Sequence, residues 1–392
     1  MKIVQINATC GIGSTGKICT AISEELTREN IENYILYNWG EEYSLGIKCA
    51  TKKEIKFQAL KSRIFGNYGF NSKKITKNII NHLEEIKPDI VHLHNIHGHD
   101  CNLQILVDYL KKKKIKIVWT FHDCWAFTGY CTHFLMSECD KWKKQCHSCE
   151  QYKTYSWVKD KSTSLYDKKK KILSGMDLTI VTPSNWLKMM VKQSYLKDYK
   201  VEVINNGINI NIFNYSESEV KEDKKKVVLG IAMGWNERKG LDVFIELANR
   251  LDCRKYQIVL VGTDKKVDAV LPECVYSIHK TQNQSELAKL YERADVFVNP
   301  TREDTFPTVN IEALACGTPV ITFDVGGSPE IIDCSCGSVI ERDNINALEQ
   351  EIIRVCEQQP YSKQACRKRA LSFNSDDKFK EYVKLYEEVL DD

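Results

Sequence analysis

No apolar run in this chain of 392 residues is long enough to cross a bilayer, which takes an uncharged stretch of about 18 residues or more. The N-terminal Met1-Lys2-Ile3-Val4-Gln5-Ile6-Asn7 reads as a strand and lacks the charged lead and apolar stretch of a secretory leader. A cytoplasmic location is therefore expected. Net charge is also nearly absent, at +3 from 56 basic and 53 acidic side chains. That balance gives no footprint for nucleic acid, which needs a concentrated basic surface. There is no low-complexity tract and no short-period repeat.

Cysteine, by contrast, is plentiful, at sixteen. Without a signal for export a disulfide scaffold is not expected. Residues such as Cys253, Cys316 and Cys356 sit in apolar patterns and are expected to pack as small hydrophobes. The lysines come in runs, Lys111–Lys114, Lys168–Lys171 and Lys224–Lys226. They are expected to be solvated helix ends and loops, with peripheral contact to an anionic inner membrane surface as the sharper reading.

Strand-like runs alternate with amphipathic stretches along the chain. The strands are Lys2–Asn7, Tyr34–Tyr37, Ile90–His94, Lys116–Phe121 and Leu178–Thr182, then Val227–Ala232, Gln257–Val261, Val296–Val298 and Val320–Thr322. The helical stretches include Lys17–Glu29, Lys74–Glu85, Gly240–Arg250, Ser285–Arg293 and Asn344–Gln358. Such alternation predicts an α/β protein with parallel sheets and crossover helices. Both halves open alike, with a strand, a glycine-rich turn (Gly11–Gly16, then Gly234–Gly240) and a helix. Each turn would put backbone N–H groups at a helix N-terminus, an anion site. Two doubly wound domains holding a ligand between them are expected. The join is placed in the polar, charged segment Phe213–Lys226. The division is 1–212, with a cysteine-rich insertion at about 124–160, then 213–374, then a C-terminal helix in 375–392 that packs back on the first domain.

The first glycine-rich turn fits two nucleotide motifs incompletely. Gly11, Gly13 and Gly16 match the dinucleotide fingerprint, but the second strand ends at Asn38-Trp39-Gly40 without the acid a ribose would want. Gly11, Gly16 and Lys17 match a phosphate loop, but Ile18 stands where a magnesium-holding hydroxyl is required. A nicotinamide oxidoreductase and a P-loop ATPase are thus rivals with defects, and Gly13 is expected near a ligand's phosphates or the acceptor. His92 and His94 alternate onto one strand face. His122 follows the next strand at its carboxyl edge, where ligands bind in parallel sheets, and is the catalytic candidate of this half. It could bond a sugar hydroxyl or neutralise charge near the transferred group. A metal on His92, His94 and His122 is the alternative, weighed against a hydrogen-bonded core role for His92. Cys131, Cys139, Cys146 and Cys149 span nineteen residues, the last two as C-x-x-C. They are a candidate structural zinc site, or free thiols in a packed excursion. A zinc-binding nucleic-acid module is the rival that would use them.

The richest segment is Val296–Pro319. A strand ends at Pro300, a loop carries Glu303 and Asp304, and a helix starts near Thr308 and stops at Gly317. The N–H groups of Thr308, Val309 and Asn310 would receive a diphosphate, Glu312 ribose hydroxyls, and Asp304 hydroxyls of a sugar. With Thr120–Asp123, Thr182–Trp186, Ile204–Ile208, Arg238–Gly240, Ala294–Val296 and Gly326–Glu330, this segment resembles the family-4 group of retaining glycosyltransferases of GT-B fold. The resemblance is to bacterial enzymes of capsule, exopolysaccharide and lipopolysaccharide synthesis.

That resemblance implies two Rossmann-like domains facing across a cleft. It implies hexosyl transfer from a UDP- or GDP-sugar to a lipid-linked or oligosaccharide acceptor. Asp304 and Glu312 keep the family's eight-residue spacing of two acids, the first for the donor sugar and the second for the ribose, with Glu303 as a substitute for the first. Lys239 matches the lysine that neutralises the diphosphate. Its arginine partner would stand at Trp235, so Arg238 is expected to serve instead. His122 matches the histidine facing the donor sugar. Phe306, Pro307, Thr308, Val309 and Asn310 complete the donor site. No catalytic cofactor or metal is implied, and no aspartate-rich metal motif is present. A sugar-nucleotide epimerase of the same fold is the nearer alternative.

Overall fold

The computed structural model describes residues 1–216 and 225–391. It divides into two compact units, Met1–Asn205 with Lys378–Asp392, and Asn206–Asp377. The polar segment expected to hold the join lies within the second unit, and its residues 217–224 fall outside the described ones.

The first unit is built on strands β1 (Lys2–Cys10), β2 (Glu32–Gly40), β3 (Gly46–Lys48), β4 (Ile90–Leu93), β5 (Lys116–Thr120), β6 (Leu178–Thr182) and β7 (Lys200–Val203). Its helices are α1 (Gly13–Arg28), α2 (Lys52–Phe65), α3 (Lys73–Ile86), α4 (Leu103–Lys113), the short α5 (Tyr152–Tyr155), α6 (Ser162–Leu173) and α7 (Asn185–Lys192). In the second unit come β8 (Lys226–Ile231), α8 (Leu241–Arg250), β9 (Tyr256–Val261), α9 (Lys265–Asp268), β10 (Val275–Ile278), α10 (Gln284–Arg293) and β11 (Val296–Asn299). They are followed by α11 (Thr308–Ala315), β12 (Val320–Phe323), β13 (Gly337–Ile340), α12 (Ile345–Gln358) and α13 (Lys363–Leu371), and α14 (Ser375–Asp391) closes the chain.

All strand pairs are parallel, in the orders β3-β2-β1-β4-β5-β6-β7 and β10-β9-β8-β11-β12-β13. Each order reverses direction once, between β1 and β4 and between β8 and β11. Such switch points leave a crevice at the strands' carboxyl ends.

Strand alternation splits the first unit's core into two layers. Val4, Ile6, Val91, Leu93, Ile117 and Trp119 pack on one face with Ile75, Ile79 and Leu83 of α3 and Leu103, Leu106 and Val107 of α4. Ile3, Ile90, Val118 and Val181 pack on the other with Ile18, Ile22 and Leu26 of α1. Helix α14 completes that second layer with Phe379, Tyr382, Val383, Tyr386 and Val389, a stripe at helical spacing.

Some expectations are corrected. Lys169, in the middle of a lysine run, is wholly buried on α6, while Lys168, Lys170 and Lys171 are exposed, so the run is solvated except at Lys169. Its ammonium donates to the Trp125 carbonyl at 2.5 Å and lies 4.1 Å from the Trp125 ring centre. Burial lowers it to about 7, against the pull of Cys146, Cys131 and Asp123. Cys316 and Cys356 are buried as expected, but Cys253 is exposed.

Candidate active site

In the first unit the switch point is flanked by the β1–α1 turn and the ends of β4 and β5. The Gly11 N–H donates to the Gly16 carbonyl at 3.2 Å, closing the turn. No atom lies within 4 Å of where a Cβ on Gly13 would stand, so a ligand can approach that backbone. Ile18 is buried in the sheet's second core layer, which removes the phosphate-loop reading.

His92 is held through both ring nitrogens, by the Tyr386 hydroxyl at 2.6 Å and the Thr120 hydroxyl at 2.8 Å. It is a core residue tying α14 to the sheet and is not available as a metal ligand. His94 bonds Gln5 Oε1 at 3.1 Å and, through Nδ1, His122 Nε2 at 3.1 Å. Burial depresses His122 to about 4; Asp123 opposes and His97 reinforces the shift. The ring is therefore neutral near pH 7. It can exchange hydrogen bonds with a hydroxyl, but the expectation that it neutralises charge is corrected.

A second ionisable pair beside this hollow was not foreseen. His97 Nε2 lies 2.8 Å from Asp123 Oδ2, and His97 Nδ1 lies 3.3 Å from the Tyr68 hydroxyl. Burial disfavours the His97 cation, yet Asp123 outweighs it and the net shift is upward. The same pairing overcomes burial to lower Asp123, whose Oδ1 also accepts the Trp125 N–H at 2.8 Å. Trp125, His94 and His122 line the same hollow. Sequence spacing gave no sign of this pair because its members close different strands.

The cysteine segment is held by aromatic packing. Trp142 stacks on Phe134 at 4.8 Å and meets Phe127 at 5.2 Å, and Tyr130 stacks on Tyr155 at 5.4 Å. Cys131 hydrogen-bonds Cys149, while Cys146 Sγ accepts the Gly129 N–H at 3.2 Å. All four cysteines of the segment, Cys139 included, are free thiols. Among the described residues no group of three His, Cys, Asp or Glu side chains is arranged as a metal site, although Cys149, Cys146 and Cys139 all lie near enough to Cys131 to raise its thiol.

In the second unit the site is ionic. A 3-10 turn, Glu237–Lys239, follows β8 and is capped by Asn236, whose Oδ1 accepts the Lys239 N–H at 3.1 Å. Gly240 ends the turn at φ +76°, where a Cβ would lie 2.6 Å from the Pro300 carbonyl. This close approach brings Lys239 Nζ to 2.8 Å from Asp304 Oδ2. Arg238 Nη1 reaches the Glu303 carbonyl at 3.4 Å. The Asp304 backbone is clamped in turn, its carbonyl accepting the Gly327 N–H at 3.2 Å. Gly326 passes so near that a Cβ there would stand 1.8 Å from that carbonyl.

Trp235 is buried and donates its indole N–H to Val261 at 2.9 Å. It is a core anchor, which leaves the neighbouring cations to Arg238 and Lys239. Arg302 is committed elsewhere, to Asp242 at 2.6 Å and Asp343 at 2.7 Å.

Helix α11 begins after Pro307 with no side-chain cap, so Thr308 and Val309 open its first turn. Asn310 departs from expectation. Its N–H donates to the Pro307 carbonyl at 3.1 Å, and its buried side chain accepts from Asn299 at 2.7 Å, tying α11 to β11. Phe306 buries its ring 5.6 Å from that of Phe373 and is likewise a packing residue. Glu303 is buried, and Glu312 Oε2 accepts the Tyr291 hydroxyl at 3.0 Å.

Residues 16–212 match the profile of Glycosyltransferase Family 4, and residues 225–358 that of Glycosyl transferases group 1. The chain belongs to glycosyltransferase family 4. Its fold is GT-B. Sucrose-phosphate synthase from Thermosynechococcus elongatus superposes with a TM-score of 0.72 at 17% identity, over 99% of this chain and 98% of that one. WaaG, a glycosyltransferase involved in lipopolysaccharide biosynthesis, gives 0.68 at 16% identity, over 98% and 99%. Anabaena HepE, solved in complex with UDP and glucose, gives 0.69 at 13%, over 99% and 100%. In sequence, this glycosyltransferase is 21% identical to the Escherichia coli K12 colanic acid biosynthesis protein WcaC, over 99% of this chain and all of WcaC. It is 30% identical to a Campylobacter jejuni diphospho-undecaprenol N-acetylgalactosaminyltransferase, over 50% of this chain and 56% of that one. No helix of the enzyme's described residues is long and apolar enough to cross a membrane.

Proposed function

We propose that this glycosyltransferase moves a hexose-type sugar from a UDP- or GDP-sugar to a lipid-linked glycan, with retention at the anomeric carbon, in bacterial surface polysaccharide assembly. The observation that carries the reading is the Lys239–Asp304 pair, 2.8 Å long, beside Arg238 and before the uncapped start of α11. The donor's diphosphate would draw Lys239 away from Asp304, leaving the carboxylate for sugar hydroxyls. Lys239, Arg238 and the N–H groups of Thr308 and Val309 would then stabilise the charge that grows on the diphosphate as the sugar–oxygen bond breaks. Glu312, oriented by Tyr291, would accept the ribose hydroxyls. Gly13 and the neutral His122 would serve hydroxyls in the first unit. These groups supply the needed cations, so no catalytic metal or cofactor enters the proposal.

The WcaC name and the diphospho-undecaprenol acceptor in the Campylobacter enzyme's name support the surface-polysaccharide and lipid-linked parts of the reading. Retention rests on the family resemblance.

A thermal-shift screen of UDP-, GDP- and ADP-sugars tests the donor. One class should raise the melting temperature by binding the native state, and the rise should shrink in Lys239→Ala. No rise with any nucleotide sugar would contradict the proposal.

A further inference from the structure

Helix α2 packs Ile55 against the core but turns its larger apolar stripe outward. At 3.6 residues per turn, Phe57, Leu60 and Ile64 share an arc of about 60°, and they are 63%, 48% and 40% exposed. On the opposite face Ser62 is buried, and Gln58 accepts the Ser72 N–H at 3.2 Å. A helix on a globular surface ordinarily does the reverse.

The arrangement is fixed by strong local signals. Thr51 and Glu54 form a capping box, and Gly66 closes the helix at φ 63°, donating to Ser62 at 2.7 Å. Phe65, Trp157 and Val158 extend the patch with exposures of 54%, 57% and 69%. The Trp157 N–H donates to the Arg63 carbonyl at 2.7 Å, and the Arg63 guanidinium lies 5.9 Å from the Trp157 ring centre.

Cations border the stripe: Lys53, Lys56 and Lys61 are exposed on α2. The helix's one acid, Glu54, is engaged by Thr51 and by Lys74 at 2.7 Å. Three residues beyond α2, Tyr68 bonds His97 of the polar hollow.

An apolar stripe with an aromatic at its end and lysines on its flanks is complementary to one surface, an anionic bilayer, with acyl chains for the stripe and headgroups for the cations. We propose that α2, together with Trp157 and Val158, is a membrane-docking face that seats the first unit on anionic lipid. This deepens the lipid-linked acceptor reading and rests on it for its purpose, since a docked α2 leads within three residues to the His97–Asp123 hollow. The face differs from the lysine runs that the sequence offered for the same role.

The full-length protein should cosediment with phosphatidylcholine vesicles containing about one third phosphatidylglycerol, and at least tenfold less with phosphatidylcholine alone. Lys56→Ala and Lys61→Ala should each lower partition about fivefold. The triple variant Phe57→Ser/Leu60→Ser/Ile64→Ser should abolish it while keeping the wild-type melting temperature and its shift with UDP or GDP. Lys111→Ala/Lys112→Ala/Lys113→Ala, at the end of α4, should leave partition unchanged. Equal binding by the triple variant, an equal loss in the α4 variant, or a concentration-dependent dimer that the triple variant dissolves would each overturn the proposal. Absence of vesicle binding by the wild-type protein, with an intact nucleotide shift, would remove only the docking face. A missing nucleotide shift with intact vesicle binding would remove only the donor reading.

Discussion

The two units use one device, a strand, a glycine turn and a helix at a switch point, and load it with opposite chemistry. At β1 and β4 the turn is accompanied by imidazoles, most of them held neutral by burial, with His122 near 4. At β8 and β11 it carries Arg238, Lys239 and Asp304, with Lys239 and Asp304 about one-fifth exposed, at 21% and 19%. Charge near solvent can be handed from a carboxylate to an arriving phosphate at little desolvation cost, whereas a buried neutral ring suits hydroxyls. The chemistry of each switch point therefore follows from its depth as much as from its residue types.

The sharpest way to break this comparison is kinetic. Lys239→Ala should lower kcat/KM about 100-fold, as loss of a group that stabilises transition-state charge does, and His122→Asn only about tenfold, as loss of a neutral hydrogen bond does. Steady-state rates with the nucleotide sugar found in the screen would show it, and equal losses would erase the distinction.

Stability comes next. Lys169→Ala should destabilise by roughly 2–4 kcal/mol, because it leaves a cavity under Trp125, and Lys169→Met, which refills the volume, by less than half as much. Urea unfolding midpoints would rank them, and a harmless Lys169→Ala would deny the lysine a structural part.

Within the donor site, Glu312→Ala should weaken UDP or GDP binding about tenfold, in line with loss of hydrogen bonds to a charged group. Calorimetry finding equal affinity would remove Glu312 from that site.

A smaller effect concerns pH and has opposite signs inside the first unit. Unfolded histidine titrates near about 6.5, and folded His122 near 4. The unfolded chain therefore binds the proton first, and stability falls as pH drops from 6.5 toward 4. His97 is shifted upward, so its contribution is full below 6.5 and is lost as pH rises through its raised value. His122→Gln should flatten the acid-side loss of melting temperature, and His97→Gln should trim stability at mildly acid pH. Identical profiles would undo the assignment.

The smallest expected effect is none at all. Chelation should move the melting temperature by less than about 1 °C, since a structural zinc would couple directly to folding. A drop of many degrees would restore the zinc reading of the cysteine segment.

Much of the fold was legible in order along the chain. Ile3, Val4 and Ile6, like Ile90, Val91 and Leu93, form nearly continuous apolar runs because each strand is covered on both sides, and α1, α3, α8, α10 and α12 have one apolar side. Helix α2 escaped that reading because its apolar stripe does not face a core. Lys169 was misread for the matching reason, since a charged run looks solvated unless the ring of Trp125 is known to lie over it. In the site, Asp304, Glu312 and Lys239 could be marked from local spacing. His97 with Asp123 could not, because 26 residues separate them and only the adjacency of β4 and β5 brings them together.

By itself, the sequence determined the alternation of strand and helix, the two glycine turns and the family-4 motif set, all of which are local patterns of period, turn chemistry and spacing. The tertiary structure decided which of the marked residues are packing and which are chemistry. Trp235, Phe306, Asn310 and His92 became anchors, and Lys239 met Asp304 across 65 residues. The physical reason is that burial and pairing set a side chain's charge and reach, and both depend on neighbours that the chain supplies from distant strands.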